Sequence, residues 1–147
     1  MSFPKHKPNA ALKIDFVSHL INNYHNVLLS EYGITTKQAK VLSYLVHHQG
    51  EDILQKNIED VFFLRSSTVT SVMKNLEKAG FIERYIDEVD KRMKRILVTE
   101  KGYQAFNHCE RIVDELDQFV SKGWTKVEKQ EFFHLLDTIV EKLKPIR

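Results

Sequence analysis

The chain has 147 residues, 42% of them apolar and 29% charged, with a net charge of +2. That length and balance describe a single domain, residues 1–147, able to bury a core of its own, and they exclude a disordered or fibrous chain. So small a net charge also excludes diffuse electrostatic attraction to nucleic acid, so any DNA surface must be a local patch.

The first ten residues, MSFPKHKPNA, hold two prolines and two lysines and are expected to form a loose arm. They lack the apolar stretch of a signal peptide. No apolar run in the chain approaches the roughly 20 residues that span a bilayer, so no membrane partner is expected. One cysteine, Cys109, excludes an internal disulfide and fits a reducing compartment, so the expected location is cytoplasmic.

A first helix is predicted from Ala10. Leu12, Phe16, Leu20 and Tyr24 recur every four residues, and Val17, Ile21, Val27 and Leu28 widen the stripe. Gly33, after Tyr32, suits its left-handed cap. Thr35 and Gln38 have the spacing of a capping box, opening a second helix that buries Ala39, Leu42, Leu45 and Val46 and ends at Gln49–Gly50. A short third helix, Leu54 to Phe62, turns Leu54, Ile58, Val61 and Phe62 inward. Phe63–Leu64–Arg65 is then a turn without the glycine common at such positions.

The fourth helix runs from Ser66 to Ala79. Its Val69, Val72, Met73 and Leu76 lie at i, i+3, i+4 and i+7 and face the core, and Gly80 stops it. Phe81–Asp87 and Lys94–Thr99 read as two strands joined by a long charged link, Glu88–Met93, which suggests an extended wing. Thr99 caps a fifth helix from Glu100 to about Lys122. Its predicted inward set is Tyr103, Phe106, Ile112, Val113, Leu116, Phe119 and Val120. After Gly123–Trp124, Thr125 and Glu128 form a second capping box. The last helix carries Phe132, Phe133, Leu136, Ile139, Val140 and Leu143, and Pro145 ends it.

The predicted class is mainly α, about four-fifths helical, in the order α-α-α-α-β-β-α-α. Two helices, a tight turn and a charged hairpin make residues 35–99 a winged helix-turn-helix, a module that reads duplex DNA. The apolar stripes at both ends of the chain exceed what that module covers, which suggests an obligate homodimer.

With the core face of the fourth helix turned inward, Ser67, Ser71, Lys74 and Lys78 point outward, flanked by Thr68, Thr70 and Asn75. Short hydroxyls reach phosphates or base edges in a major groove, and lysines supply charge. The wing holds Arg84, Lys91, Arg92, Lys94 and Arg95 against Asp87, Glu88 and Asp90. An arginine at a hairpin tip suits the negative potential of a narrow minor groove, and Asp90 is spaced to hold Arg92.

The runs S-S-T-V-T (Ser66–Thr70), L-E-K-A-G-F-I-E-R (Leu76–Arg84), D-x-x-D-K-R (Asp87, Asp90, Lys91, Arg92) and L-V-T-E-K-G (Leu97–Gly102) resemble the MarR family of bacterial transcription regulators. So does Y-G-I-T-T-K-Q-A-K-V-L (Tyr32–Leu42), and the likeness covers about residues 32–102. It implies a triangular homodimer in which helices over 10–32 and 100–144 intertwine and each subunit presents one reader. By position, Ser66, Ser67, Thr68, Thr70, Ser71, Lys74 and Asn75 would face the major groove. Arg92 would enter the minor groove, oriented by Asp90, with Lys91 and Lys94 near the backbone. Many members carry arginine where this chain has Ser71, so the operator preference is expected to differ. Two such readers call for a pseudo-palindrome with half-sites about 10 bp apart.

The resemblance further implies a repressor released by a small aromatic or lipophilic effector, in a cleft lined from about 16–24, 42–48 and 103–112. Those residues would equally line a plain core. The alternatives are a redox- or zinc-responsive regulator of the same fold and a winged-helix interaction module that does not bind DNA. Cys109 is the redox candidate, but a lone mid-helix cysteine is usually a small buried hydrophobe. Seven histidines are present, His6, His19, His25, His47, His48, His108 and His134. A zinc site would need His47 or His48 to meet His108, Cys109 and Glu110. No Gly-rich phosphate loop, nucleophile elbow or diagnostic metal spacing occurs, so no enzyme activity, cofactor or metal is expected.

Overall fold

The structure, a computed structural model, describes residues 7–92 and 94–146. Most of the predicted N-terminal arm, His6 included, and Met93 of the wing link lie outside the described residues. The elements follow the predicted order: α1 (Ala10–Ser30), α2 (Thr36–His47), α3 (Gln55–Phe62), α4 (Ser66–Lys78), β1 (Ile82–Ile86), β2 (Lys94–Val98), α5 (Glu100–Val120) and α6 (Lys126–Leu143), then a 3-10 turn at Lys144–Ile146. Helices take 69% of the described residues, less than the four-fifths expected, although each helix ends within a few residues of its predicted bounds. Two compact units divide the chain, one ending at Ile112 and the other beginning at Val113.

In the first unit the core forms where α2, α3 and α4 meet the hairpin. Val69, Val72, Met73 and Leu76 are all buried, so α4 turns the predicted face inward. Each such side chain contributes about 1.5–3 kcal/mol. Opposite them lie Val41, Leu42 and Leu45 of α2 and Ile58 of α3. Thr35 caps α2 as its spacing predicts: its hydroxyl accepts from Gln38 N at 3.2 Å, and Gln38 returns its amide oxygen to Thr35 N at 2.9 Å.

Several expected inward residues are exposed. Leu54 is the extended residue before α3, where Asn57 Oδ1 accepts its N–H at 2.9 Å, and its side chain points away with Val61. A helix of eight residues presents only one buried position, Ile58, with Phe62 half-buried beside it. On α5 the buried residues are Gly102, Ala105, Cys109 and Ile112, while Tyr103, Val113, Phe119 and Val120 are exposed. At the start of α5 a small residue faces inward because the helix lies directly on the base of the hairpin. A Cβ on Gly102 would collide with Phe81 O and come within 2.8 Å of Val98 Cγ1. On α1 only Leu29 is buried, and Leu12, Val17, Leu20, Tyr24 and Val27 stand exposed.

The turn between α3 and α4 solves its missing glycine at Phe63, which itself adopts the left-handed conformation (φ 53°). The hairpin is antiparallel, pairing Ile82 with Val98 at its buried base and Ile86 with Lys94 toward the tip. Arg84, Lys94 and Ile96 share one face, since alternate residues point the same way.

The second unit holds the end of α5 and α6. Thr125 and Glu128 form the predicted reciprocal cap, at 3.1 and 2.9 Å, and Trp124 packs edge-on to Phe132 with ring centres 5.1 Å apart. No residue of α6 is buried, and Phe133, Leu135, Val140 and Leu143 are exposed.

Candidate nucleic-acid interface

The outer face of α4 begins with Ser66 and Ser67, which are exposed together with Ser71, Lys74, Asn75 and Lys78. Thr68 and Thr70 differ from that set, because both are half-buried. The cause at Thr70 is Gln55, the first residue of α3. Its Nε2 donates to Thr70 Oγ1 at 2.8 Å and to Ser66 O at 3.2 Å. Thr70 is therefore engaged with α3, and Gln55 fixes the entry of α4 against the helix before it. Sequence reasoning missed Gln55, whose partners lie 11 and 15 residues away.

The wing is held by two aspartates in series. Asp87 Oδ1 accepts the N–H groups of Val89 at 2.7 Å and Asp90 at 2.9 Å, closing the turn. Its other oxygen accepts Arg95 Nε at 2.6 Å, and Arg95 also pairs with Asp52 before α3. Asp90 then accepts Arg92 N and Nε, each at 3.1 Å, and Arg92 Nη2 at 3.4 Å. These bonds hold the Asp90 carboxyl below the usual carboxylate range. The Arg92 side chain is 91% exposed even so, with one edge of its guanidinium held by Asp90. Lys91 and Lys94 are exposed on either side. Arg84, by contrast, is turned back onto Glu77 of α4, with bonds of 3.2 and 3.3 Å that lower the Glu77 pKa. The D-x-x-D spacing carried the signal for Asp87, but nothing local marked Asp52.

Behind this face, the start of α5 is bolted to the end of α4. Thr99 Oγ1 donates to Gly80 O at 2.6 Å and accepts from Gly102 N at 3.0 Å, and Lys101 Nζ donates to Ala79 O at 2.7 Å. The T-E-K-G run is thus a joint between the reader and the long helix that follows it.

The candidate sensors are quiet. Cys109 is buried, and burial, helped by Glu110, pushes its thiol up to about 11. Among the described residues no group of three His, Cys, Asp or Glu side chains is placed to hold a metal, so His47, His48, His108, Cys109 and Glu110 do not converge as a zinc site requires. His47 Nδ1 donates to Ser43 O at 2.7 Å, and His108 stacks on Tyr32 at 4.4 Å. Among the described residues no helix is long and apolar enough to cross a membrane.

A hydroxyl- and lysine-faced second helix beside an arginine-tipped wing defines a winged helix-turn-helix regulator of the MarR type. Residues 23–109, more than half of the chain, match the family model described as transcriptional regulator SarA/Rot, and the chain belongs to that family. It is 31% identical over 120 residues to the regulator SarZ of Staphylococcus epidermidis, covering 69% of this chain and 80% of SarZ. It is 24% identical over 127 residues to YybA of Bacillus subtilis, an uncharacterized HTH-type regulator, covering 86% and 83%. The structure of Staphylococcus aureus MepR in complex with DNA superposes with a TM-score of 0.82 at 25% identity, over 92% of this chain and 96% of MepR. The resemblance to MarR regulators and the winged-helix class are both borne out, and the family's members are transcriptional regulators and not enzymes.

Proposed function

We propose that the protein is a cytoplasmic, homodimeric repressor that binds a pseudo-palindromic DNA operator and leaves it when a small aromatic or lipophilic effector binds. The observation that carries this reading is the pairing of an exposed Ser/Thr/Lys face on α4 with Arg92 held outward by Asp90. In it, Ser66, Ser67, Ser71, Lys74 and Asn75 meet the major groove, with Thr68 at its edge. Thr70 contributes through the Gln55 bond. Arg92 enters the minor groove while Lys91 and Lys94 meet phosphates. Support for the dimer is the exposed apolar surface of α1 and α6, which a monomer would leave in water. The raised thiol pKa of Cys109 disfavours the redox alternative.

The test is a gel shift on the DNA flanking the protein's own gene, repeated with Arg92→Ala. The variant is expected to bind all sequences more weakly, with the log–log salt slope lowered by about 2, one contact from each subunit of the dimer. Wild-type affinity and slope in the variant would remove the wing from the interface.

A further inference from the structure

A two-stranded ribbon is marginal by itself and twists strongly, so the direction of a wing is set by what lies against it. β1 is tied to α4 through Arg84 and Glu77. β2 is tied to the link between α2 and α3. Gln49 Oε1 accepts Val98 N at 3.2 Å, and Gln49 Nε2 donates back to Leu45 O of α2 at 2.8 Å. Three residues further along the link, Asp52 pairs with Arg95, three residues back along the strand. The two contacts therefore keep one antiparallel register, as a third strand would. Gly50, in the left-handed conformation (φ 87°), turns the chain after α2 so that the link can take this course. The link is itself fixed, because His48 Nδ1 donates to Glu51 Oε2 at 2.5 Å and the His48 ring lies 4.1 Å from that of Tyr44. Beyond it, Ile53 and Leu54 line one cleft with Arg92, Lys94 and Ile96.

We propose that Gln49 and Asp52 are positioning residues for the minor-groove arm: they set the angle of the wing to α4, and through it the reach of Arg92 and the preference for narrow, A·T-rich minor grooves. The inference rests on the DNA-binding reading above and deepens it, and neither residue is itself a DNA contact.

From Asp52 an unbroken series of bonds leads to Arg92. Arg95 joins Asp52 to Asp87, Asp87 Oδ1 accepts the N–H of Asp90, and the Asp90 carboxylate holds Arg92. Gln49 fixes the base of the same strand, where Val98 is buried. One anchor alone would leave the hairpin free to swing about it, and two define a line. The Asp52 side chain is 61% exposed. An ion pair so open to water adds little to stability, so its loss leaves the fold intact and releases the wing.

The probe is the duplex of the gel shift above, footprinted in both grooves below the melting temperature of each variant. Hydroxyl radicals report the sugars lining the minor groove, and dimethyl sulfate reports guanine N7 in the major groove. In Asp52→Ala and in Gln49→Met, minor-groove protection under the wing is expected to be lost while N7 protection under α4 is kept. Affinity should fall about fivefold per wing, and the affinity ratio of duplexes with A·T or G·C pairs under the wing should approach one. Asp52→Asn and Gln49→Glu keep the acceptors for Arg95 and Val98 N and should restore most of the protection. Added to Arg92→Ala, neither Asp52→Ala nor Gln49→Met should cost anything further. Loss of N7 protection in parallel with the sugars, or a loss of affinity that adds to that of Arg92→Ala, would overturn the proposal, since the residues would then act through the fold as a whole. Wild-type protection in both variants would overturn it equally. If the wild-type protein protected neither groove, the DNA-binding reading would fall instead.

Discussion

Gly102 and Cys109 lie on the buried face of α5, and each has a role set by its surroundings. Cys109 is packed in the core with its thiol pKa at about 11, so at neutral pH it stays protonated and is a poor nucleophile. Its labelling by a thiol reagent is expected to be many-fold slower in the native protein than in urea, and peroxide should leave DNA affinity unchanged in both wild type and Cys109→Ser. Rapid native labelling would return the residue to the list of sensors. Gly102 has no room for a side chain, because the space a Cβ would take is filled by Phe81 backbone and Val98. Gly102→Ala is expected to cost about 2 kcal/mol or more, by forcing α5 off the hairpin, as measured by urea unfolding. An alanine variant of wild-type stability would show that the joint yields.

At the scale of elements, the reader depends on how α3 presents α4 and how the wing is anchored. Gln55 of α3 bonds the start of α4 at Ser66 O, Ser66 Oγ and Thr70 Oγ1. Gln55→Ala removes these bonds, of which the one to Thr70 is half-buried. It is expected to cost about 1 kcal/mol of stability and to weaken operator binding without changing the salt slope, since no phosphate contact is lost. A lowered slope would place Gln55 itself against the backbone. The wing is tied at two heights. Asp87 orders its turn and holds Arg95, Arg95 reaches Asp52, and Asp90 aims Arg92. Asp87 and Asp52 thus anchor the hairpin through Arg95, and Asp90 alone holds a cation of the interface.

For the whole molecule, the decisive feature is the apolar surface that α1 and α6 each leave exposed among the described residues. On α6 the exposed set includes Phe133, Leu135 and Leu143, and on α1 it includes Leu12, Leu20 and Tyr24. Apolar area on that scale is normally covered by another copy. Phe133→Asp is expected to convert a dimer to monomer by sedimentation and to weaken operator binding sharply, because one reader alone loses the second half-site. Dimers that persist at micromolar concentration would place the interface elsewhere.

What the amino-acid sequence by itself determined is everything that closes within a turn or two of chain. The capping boxes at Thr35 and Thr125, the buried row Val69–Val72–Met73–Leu76 and the Asp90–Arg92 pair all span three to eight residues, and local spacing is enough to specify them. The family was legible for the same reason, since its motifs lie in that continuous reader. Tertiary structure alone decided the rest. Gln55 on Thr70, Arg95 on Asp52 and Gly102 on Phe81 join residues that periodicity treats as unrelated. The inward face of α5 was read correctly at Ile112 and wrongly at Tyr103, because a large apolar residue was expected to turn in near the start of the helix. There the base of the hairpin leaves room only for Gly102, and Tyr103 stays outside. An apolar stripe states that a helix must be covered, and only packing decides by what.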